Sequence, residues 1–154
     1  MSNQQTRVPI WSHWARFTSY ITERFLGGPK ILKLAWVINF QKTGTFFYVF
    51  FLMNYYENFS IAANVYLALH GMYGFCWILK HIAFPDRAWE KKVTIGGGIM
   101  AFLLVLALYW VFPYLLISGV LGPEQKIASF ALLSAAISIH TLGVVIMMVA
   151  DSQK

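Results

Sequence analysis

Four long apolar stretches dominate the chain, and short polar segments separate them. Residues 58–79, 93–123 and 127–150 carry no formal charge, and Lys42 is the only charged residue between 34 and 56. An α-helix rises about 1.5 Å per residue, so each stretch is long enough to cross the roughly 30 Å hydrocarbon core of a bilayer. The pattern therefore predicts four transmembrane helices, at about 34–56, 59–80, 94–117 and 127–150.

The length and continuity of these stretches also determine the fold class. Strands of a membrane barrel are about ten residues long and alternate between apolar and polar positions, which these stretches do not. Because only helices and closed barrels satisfy the backbone in lipid, the sequence predicts an all-α, membrane-spanning helical bundle. The third stretch exceeds one crossing, and Pro113 with the Gly- and Pro-containing segment 118–123 predicts that its helix ends near Ile117.

Residues 1–33 form a separate N-terminal region that precedes the four-helix region at 34–154. Apolar and aromatic side chains recur at helical spacing until the Gly-Gly-Pro sequence at 27–29 ends the pattern. This predicts a polar tail followed by an amphipathic helix in the membrane interface, where Trp is favoured. A helix packed on the rest of the protein fits the pattern equally well. The residues of the apolar face are Trp11, Trp14, Thr18, Ile21 and Phe25.

Composition agrees with a membrane protein and excludes several other classes. Apolar residues make up 58% of the chain, charged residues only 12%, and the mean hydropathy is +0.59. A soluble domain carries about 25% charged residues, so a soluble globular domain, a disordered chain and a coiled coil are excluded. The single cysteine, Cys76, excludes an internal disulfide and a cysteine-based metal cluster. The four scattered histidines carry no metal-ligand spacing, and no metal site is expected.

Basic residues alternate along the chain in a way that predicts its orientation. Six Lys or Arg residues precede or lie early in the first crossing, none lies in the first connection, and four lie between 80 and 92. Following the positive-inside rule, both termini and the loop Pro85–Lys92 are predicted to be cytoplasmic. The net charge of +6 then suits anionic membrane lipids rather than nucleic acid. The expected location is the endoplasmic reticulum in a eukaryote or the inner membrane in a bacterium. The first long apolar stretch begins only after about thirty residues, so no signal peptide is expected.

The second predicted crossing carries a polar stripe along one face. Its members are spaced i, i+4, i+7 and i+11, which places Tyr66, His70, Tyr73 and Trp77 on one side of a helix. Polar groups at membrane depth are costly, so they should face a partner helix or a wet cavity. A Tyr hydroxyl near a His can deliver a proton to a carbonyl or an alkene. The alternative is a set of interhelical hydrogen bonds that only hold the bundle together, and spacing alone favours it.

Two further features have a chemical and a structural interpretation. The fourth crossing places His140 and Asp151 on one face, and a lone intramembrane His is more often a packing residue than a ligand. Gly96, Gly97 and Gly98 open the third crossing, where close helix packing is a better explanation than a phosphate-binding turn. Lys42 lies eight positions past Leu34, so its side chain is expected to extend towards the near interface.

Several segments of the chain resemble the N-terminal half of membrane proteins in the steroid 5-alpha-reductase-like superfamily, and most closely a group whose domain has no assigned function. They are Asn39-Phe-Gln-Lys-Thr-Gly-Thr45, Tyr66-Leu-Ala-Leu-His-Gly-Met-Tyr-Gly74, Trp77-Ile-Leu-Lys80, Phe84-Pro-Asp-Arg-Ala-Trp-Glu90 and Val149-Ala-Asp-Ser-Gln-Lys154. The resemblance extends over nearly the whole chain. It is specific for the group but not for a substrate.

The resemblance implies an activity and a set of site residues. Characterised members use NADPH to reduce a carbon–carbon double bond conjugated to a carbonyl, in steroids or other lipids. By position, Tyr73 resembles the Tyr that protonates or polarises the substrate, and Gln41 resembles the Gln of a Gln-Glu pair. Lys42 stands where the acidic partner would be, and His70 is placed to assist Tyr73 only indirectly. Asp151 resembles an Asp that contacts the cofactor.

The nucleotide-binding helices of that family follow this Asp, so the chain as given is expected to hold no NADPH on its own. One interpretation is the membrane half of an NADPH-dependent reductase, acting on a lipid or sterol-like substrate together with a C-terminal half. Another is a small non-catalytic membrane protein, or a truncated subunit, whose polar stripes are structural and which packs against lipids or partner helices. A third, in the same superfamily, is a membrane methyltransferase acting on isoprenylated or lipid substrates, which would also need the second half.

Overall fold

The computed structural model describes residues 10–23, 25, 27–120 and 129–153, and this part of the chain is mostly helical. A short two-stranded antiparallel ribbon is the other regular element. The helices are α1 (Ile10–Glu23), α2 (Leu34–Tyr55), α3 (Ile61–Ala83), α4 (Ile95–Leu106), α5 (Leu108–Ile117) and α6 (Phe130–Ser152). The strands are β1 (Lys30–Lys33) and β2 (Lys92–Thr94).

Helices occupy the four predicted ranges, and a capping side chain explains where α3 and α6 begin. The Ser60 hydroxyl accepts a hydrogen bond from the Ala63 amide at 3.3 Å, so α3 begins at Ile61 rather than at 59, and it continues to Ala83 rather than ending at 80. Ser129 caps α6 in the same way, through the Leu132 amide at 3.2 Å. The predicted start of this last helix, at 127, lies outside the described residues.

The ribbon is a correction to the all-α prediction. β1 and β2 pair with Lys33 opposite Lys92 and Leu32 opposite Val93, and the Leu34 amide donates to the Lys91 carbonyl at 3.0 Å. Each strand has only three or four residues, and its partner lies about sixty positions away in the chain. Local periodicity therefore contained no signal for it. The long apolar segments are helical as predicted, whereas no strand was predicted at Lys30–Lys33 or Lys92–Thr94.

The predicted helix at 94–117 consists of two helices, α4 and α5, whose axes differ by 44°. A π-helical turn at Phe102–Leu106 directly precedes the bend, and such turns are a known cause of sharp kinks. Pro113, which the sequence associated with the end of the helix, lies inside α5, and α5 ends at Ile117 as predicted. A second π-helical turn, Leu67–Gly71, lies within α3, which continues through it.

Length and apolar composition make some of these helices able to cross a membrane. α3 and α6 each meet both conditions, and α4 with α5 adds a third if the bent pair forms one crossing. The chain therefore has two or three such helices in its described part. α2 is not among them, but it is the most enclosed helix and packs against α3, α4 and α5. Its buried side chains include the polar residues Gln41 and Thr45.

The bundle has two distinct ends. The ribbon, the loop at 84–91 and the last turn of α6 lie at one end, where α1 also packs beside β2 and the start of α4. The segments predicted to be cytoplasmic thus lie at the same end of the bundle. At the other end, an apolar core joins α2, α3 and α5; it consists of Val49, Leu52, Met53, Ala63 and Ile117.

The N-terminal helix packs on the bundle and also exposes aromatic side chains. Trp14 is 64% exposed, and Phe17 and Tyr20 are more than half exposed. Packing agrees with one of the two sequence-based interpretations, and the aromatic surface is compatible with the other. The side chains of Trp11 and Thr18 lie outside the described part, and Phe25 lies beyond the end of the helix.

Candidate functional site

Polar side chains from four helices meet midway along the bundle. We call these residues the central cluster: Lys42 on α2, His70 and Tyr73 on α3, Tyr109 on α5 and His140 on α6. The Lys42 ammonium lies 4.3 Å from the centre of the Tyr109 ring and 5.2 Å from that of Tyr73. The His140 ring centre lies 5.8 Å from that of His70 and 6.2 Å from that of Tyr73. Tyr109 is 48% exposed, so the cluster is open on the side of α5.

The α3 side of the cluster is the polar stripe that the sequence predicted. The Tyr66 and His70 rings stack with their centres 4.2 Å apart, and Tyr73 and Trp77 follow with centres 6.1 Å apart. The π-helical turn at Leu67–Gly71 lies between Tyr66 and Tyr73 and contains His70. π-Turns inside α-helices occur frequently at functional sites. The stripe faces α2 and α6, so its polar groups lie against partner helices, as expected for polar groups at membrane depth.

Two glycines of α3 allow α2 to approach closely enough to form the cluster. A Cβ atom on Gly74 would overlap the backbone carbonyl oxygen of Lys42, and one on Gly71 would come within 2.7 Å of the Phe46 ring. The backbone of α2 therefore lies directly against α3, which brings Lys42 beside Tyr73. The sequence signal for this contact was the presence of two glycines, Gly71 and Gly74, on either side of Tyr73, because small residues let membrane helices approach closely.

Lys42 does not extend towards the interface, as the sequence had suggested. Its ammonium is surrounded by the rings of Tyr73, Trp77 and Tyr109 at 4.3–5.6 Å from their centres. An ammonium is attracted to the electron-rich face of an aromatic ring, so these contacts partly replace its water. Within the described residues, Lys42 forms no ion pair with a carboxylate.

Gln41 lies on a different side of α2 from Lys42. Its side chain is fully buried, and its amide nitrogen donates to the Thr45 hydroxyl at 3.4 Å. The Trp110 indole on α5 donates to the same hydroxyl at 3.0 Å. Successive helix residues point about 100° apart, so a neighbour of Lys42 cannot share its direction. The structure thus brings Tyr73 and His70 together with Lys42 and places Gln41 on another face of α2, beside Thr45.

A buried ion pair joins α3 to α6 near the ribbon end. The Lys80 ammonium lies 3.0 Å from the Asp151 carboxylate, and both side chains are about nine-tenths buried. Lys80 also lies 4.5 Å from the centre of the Trp77 ring. The pairing of these two residues was not predicted from the sequence. Lys80 continues the stripe of α3 one turn beyond Trp77, and this was the available signal.

Asp151 borders a pocket of about 620 Å³. The resemblance would place part of the nucleotide cofactor near this residue. The pocket lies at the carboxyl ends of α3 and α6, and its walls include Asp86, Arg87, Glu90 and Ser152. Phosphates favour helix amino ends and clustered cations, whereas this pocket combines two helix carboxyl ends with three carboxylates. The residues that line this pocket therefore do not suit the phosphate groups of NADPH. Asp151 is engaged with Lys80 instead.

A second charged group fixes the ribbon to the end of α3. The Lys33 ammonium donates to the Glu90 carboxylate at 2.6 Å, and the His81 ring lies 3.3 Å from its other oxygen. The hydrogen bond from Lys33 holds the pKa of Glu90 below its ordinary value of 4.5, although partial burial of the carboxylate opposes this shift. Glu90 is therefore a structural contact between β1 and the loop after α3.

Comparison of the chain with protein-family models, curated proteins and solved structures finds no match in any of the three.

Proposed function

We propose that the protein crosses the membrane four times and that its central cluster binds the oxygen-bearing end of an amphipathic lipid. The four crossings would be α2, α3, α6 and the α4–α5 pair. α2 is the least apolar of them, and its enclosed position among α3, α4 and α5 explains how it tolerates polar side chains. The outer faces of the bundle carry exposed apolar side chains suited to lipid contact, among them Phe40, Phe112 and Ile139.

The observation that supports this proposal most strongly is that polar atoms in and beside the central cluster lack hydrogen-bond partners within the described residues. The Nδ1 atom of His70 and the hydroxyl of Thr43 are buried without a hydrogen-bond partner among the described residues. Lys42 has aromatic neighbours and no carboxylate among the described residues. A purely structural stripe should satisfy its own polar groups, because unsatisfied ones are costly in a protein interior. A lipid oxygen entering from the exposed Tyr109 side would supply acceptors.

The orientation follows from the charges and from the two ends of the bundle. We place the end that carries the ribbon, α1 and Asp151 in the cytoplasm, because the basic residues of the chain concentrate there. The exposed aromatic residues of α1, namely Trp14, Phe17 and Tyr20, would then lie at the level of the lipid headgroups. The membrane is the endoplasmic reticulum in a eukaryote or the inner membrane in a bacterium.

A second function is favoured by the contact between Tyr73 and Lys42. If the chain is the substrate half of a lipid enone reductase, Tyr73 would donate a hydrogen bond to the carbonyl oxygen of the bound lipid. Lys42 would place a positive charge 5.2 Å from the Tyr73 ring and so favour negative charge on that oxygen. NADPH would be held by a segment or partner outside the described residues. The Gln41 of the resemblance takes no part in this arrangement.

Lipid labelling tests the first proposal. The protein is reconstituted in phosphatidylcholine nanodiscs with a long-chain alcohol that carries a photoreactive diazirine next to its hydroxyl group. Mass spectrometry is expected to locate the label on α3, α5 and α6 within one turn of Tyr73, Tyr109 and His140. His140→Leu should reduce this labelling, whereas Ile139→Leu, one residue away on the outer face, should not. Labels spread evenly over the outer face of the bundle would contradict a specific site.

NADPH consumption tests the second function. The chain is combined with its C-terminal half or partner and supplied with a lipid enone. We expect Tyr73→Phe to abolish turnover and Tyr20→Phe, on the exposed face of α1, to leave it unchanged. Full activity of Tyr73→Phe would eliminate the assigned role of that residue.

A further inference from the structure

Two lysines contact the same tryptophan, but only one of them has a partner of opposite charge. The ammonium groups of Lys80 and Lys42 lie 4.5 and 5.6 Å from the centre of the Trp77 ring. Lys80 is paired with the carboxylate of Asp151 at 3.0 Å. Lys42 has no carboxylate within ion-pair distance in the part of the chain that the structure describes. Within the described residues, the bundle thus provides a carboxylate for the ammonium of Lys80 and none for that of Lys42.

We propose that Lys42 binds the carboxylate of a long-chain lipid acid. This inference rests on the proposed lipid site and specifies the chemical class of its ligand. An isolated ammonium at membrane depth is unfavourable, and three aromatic rings compensate it only in part. A carboxylate would complete the ion pair that Asp151 provides for Lys80. Its second oxygen would accept a hydrogen bond from Tyr73 or His140. A buried ion pair needs such additional hydrogen bonds to its remaining polar atoms.

The depth and number of the charges favour a carboxylate over a phosphate headgroup. Lys42 lies eight residues, or about 12 Å, along α2 from its start at Leu34, which is below the level of the lipid phosphates. The other members of the cluster are Tyr and His side chains, so Lys42 is the one lysine or arginine in it. A phosphate would require more cations than this site offers. A single monoanionic group at the end of a hydrocarbon chain matches the one lysine of this site.

The surface beside the cluster continues as an apolar surface for the rest of such a molecule. Phe112 lies one turn beyond Tyr109 on α5 and is 65% exposed. Ile137 lies one turn before His140 on α6 and is 43% exposed. Because α5 and α6 run in opposite directions, both side chains lie towards the end of the bundle remote from the ribbon. The hydrocarbon chain of the acid would therefore extend from Lys42 towards that end.

A matched pair of photoreactive lipids tests this inference in the same nanodiscs. One is a long-chain diazirine carboxylic acid, and the other is the alcohol of identical chain length. We expect the acid to label the central cluster at about tenfold lower concentration than the alcohol, the factor that corresponds to about 1.4 kcal/mol of extra binding free energy. Lys42→Gln should abolish this preference and keep labelling by the alcohol. Lys92→Gln, which removes an exposed lysine of the ribbon, should leave the preference intact.

The outcomes separate this inference from the function on which it rests. Equal labelling of the wild-type cluster by acid and alcohol overturns the carboxylate assignment and supports the lipid site alone. Labelling of the cluster by neither lipid overturns both. Displacement of the acid by phosphatidic acid at lower concentration than by unlabelled fatty acid also overturns the assignment, in favour of a phosphate. If Lys42→Gln does not fold, the acid-to-alcohol ratio of the wild type decides by itself, and Lys42→Arg is expected to preserve it.

Discussion

The ammonium nitrogen of Lys80 lies 3.0 Å from a carboxylate oxygen of Asp151, and this contact joins α3 to α6 at the end of the bundle that carries the ribbon. α6 packs mainly against α3, and most of its other side chains are exposed. The ion pair is therefore a principal attachment of the last helix. Because His140 belongs to α6, the same attachment also positions one side of the central cluster.

Breaking this ion pair on one side should be costly. Asp151→Asn leaves a buried ammonium without its counterion, and we expect it to lower the free energy of unfolding by about 3–5 kcal/mol. The measurement is unfolding of detergent-solubilised protein by sodium dodecyl sulfate, followed by circular dichroism. The double variant Lys80→Met with Asp151→Leu removes both charges and should be more stable than either single variant. Equal losses in Asp151→Asn and in Lys92→Met, an exposed lysine, would contradict a structural role for the pair.

The contact between α2 and α3 should tolerate no side chain at position 74. In Gly74→Ala, the added methyl group would overlap the Lys42 carbonyl oxygen, so α2 and α3 must separate. We expect a loss of several kcal/mol, in the range seen for overpacked cores, or failure to fold. Gly143→Ala is the matched control, because a Cβ there meets nothing within 4 Å. The comparison uses monodispersity and melting temperature in detergent, and equal values for the two variants would exclude the close approach.

Glu90 should contribute an acid-sensitive part of the stability. Its pKa is lower in the folded protein than the ordinary value of 4.5, first because Lys33 donates a hydrogen bond to it. Stability from such a group is fully present above the ordinary pKa and is lost as the pH falls through the lower, folded value. We therefore expect Glu90→Gln to be less stable than wild type at pH 7, and the difference to shrink as the pH falls below 4.5 and to vanish below the folded pKa. A difference that stays constant throughout this acid titration would contradict the ion pair with Lys33.

The helices and one face of the site followed from local patterns in the sequence. The stripe of Tyr66, His70, Tyr73 and Trp77 was visible because helical periodicity alone determines which residues share a face. Long uncharged stretches likewise determined the approximate bounds of α2, α3 and α6. These features depend on neighbours within a few turns of the same helix, and the sequence displays such neighbours directly.

The features that the sequence did not predict are contacts between distant segments. The pairing of Lys33 with Lys92 in the ribbon, and of Lys80 with Asp151, joins residues about sixty to seventy positions apart. The bend after Leu106 follows a π-helical turn, Phe102–Leu106, which contains no glycine or proline from which a bend could be predicted. Gln41 and Lys42 are adjacent in the sequence, yet Gln41 donates a hydrogen bond to Thr45 whereas Lys42 lies beside the Tyr73 ring. Which residues each face of α2 contacts depends on how the helix packs among its neighbours, and the sequence alone does not show this packing.

Cysteine labelling from each side of the membrane tests the four-crossing arrangement most directly. Single cysteines are introduced at Ser12, Asn58, Arg87, Gly119 and Gln153 in a Cys76→Ser background and exposed to a membrane-impermeant maleimide in oriented vesicles. The proposed arrangement predicts that positions 12, 87 and 153 react from the cytoplasmic side and that positions 58 and 119 react from the opposite side. Reaction of positions 12 and 87 from opposite sides of the membrane would contradict it.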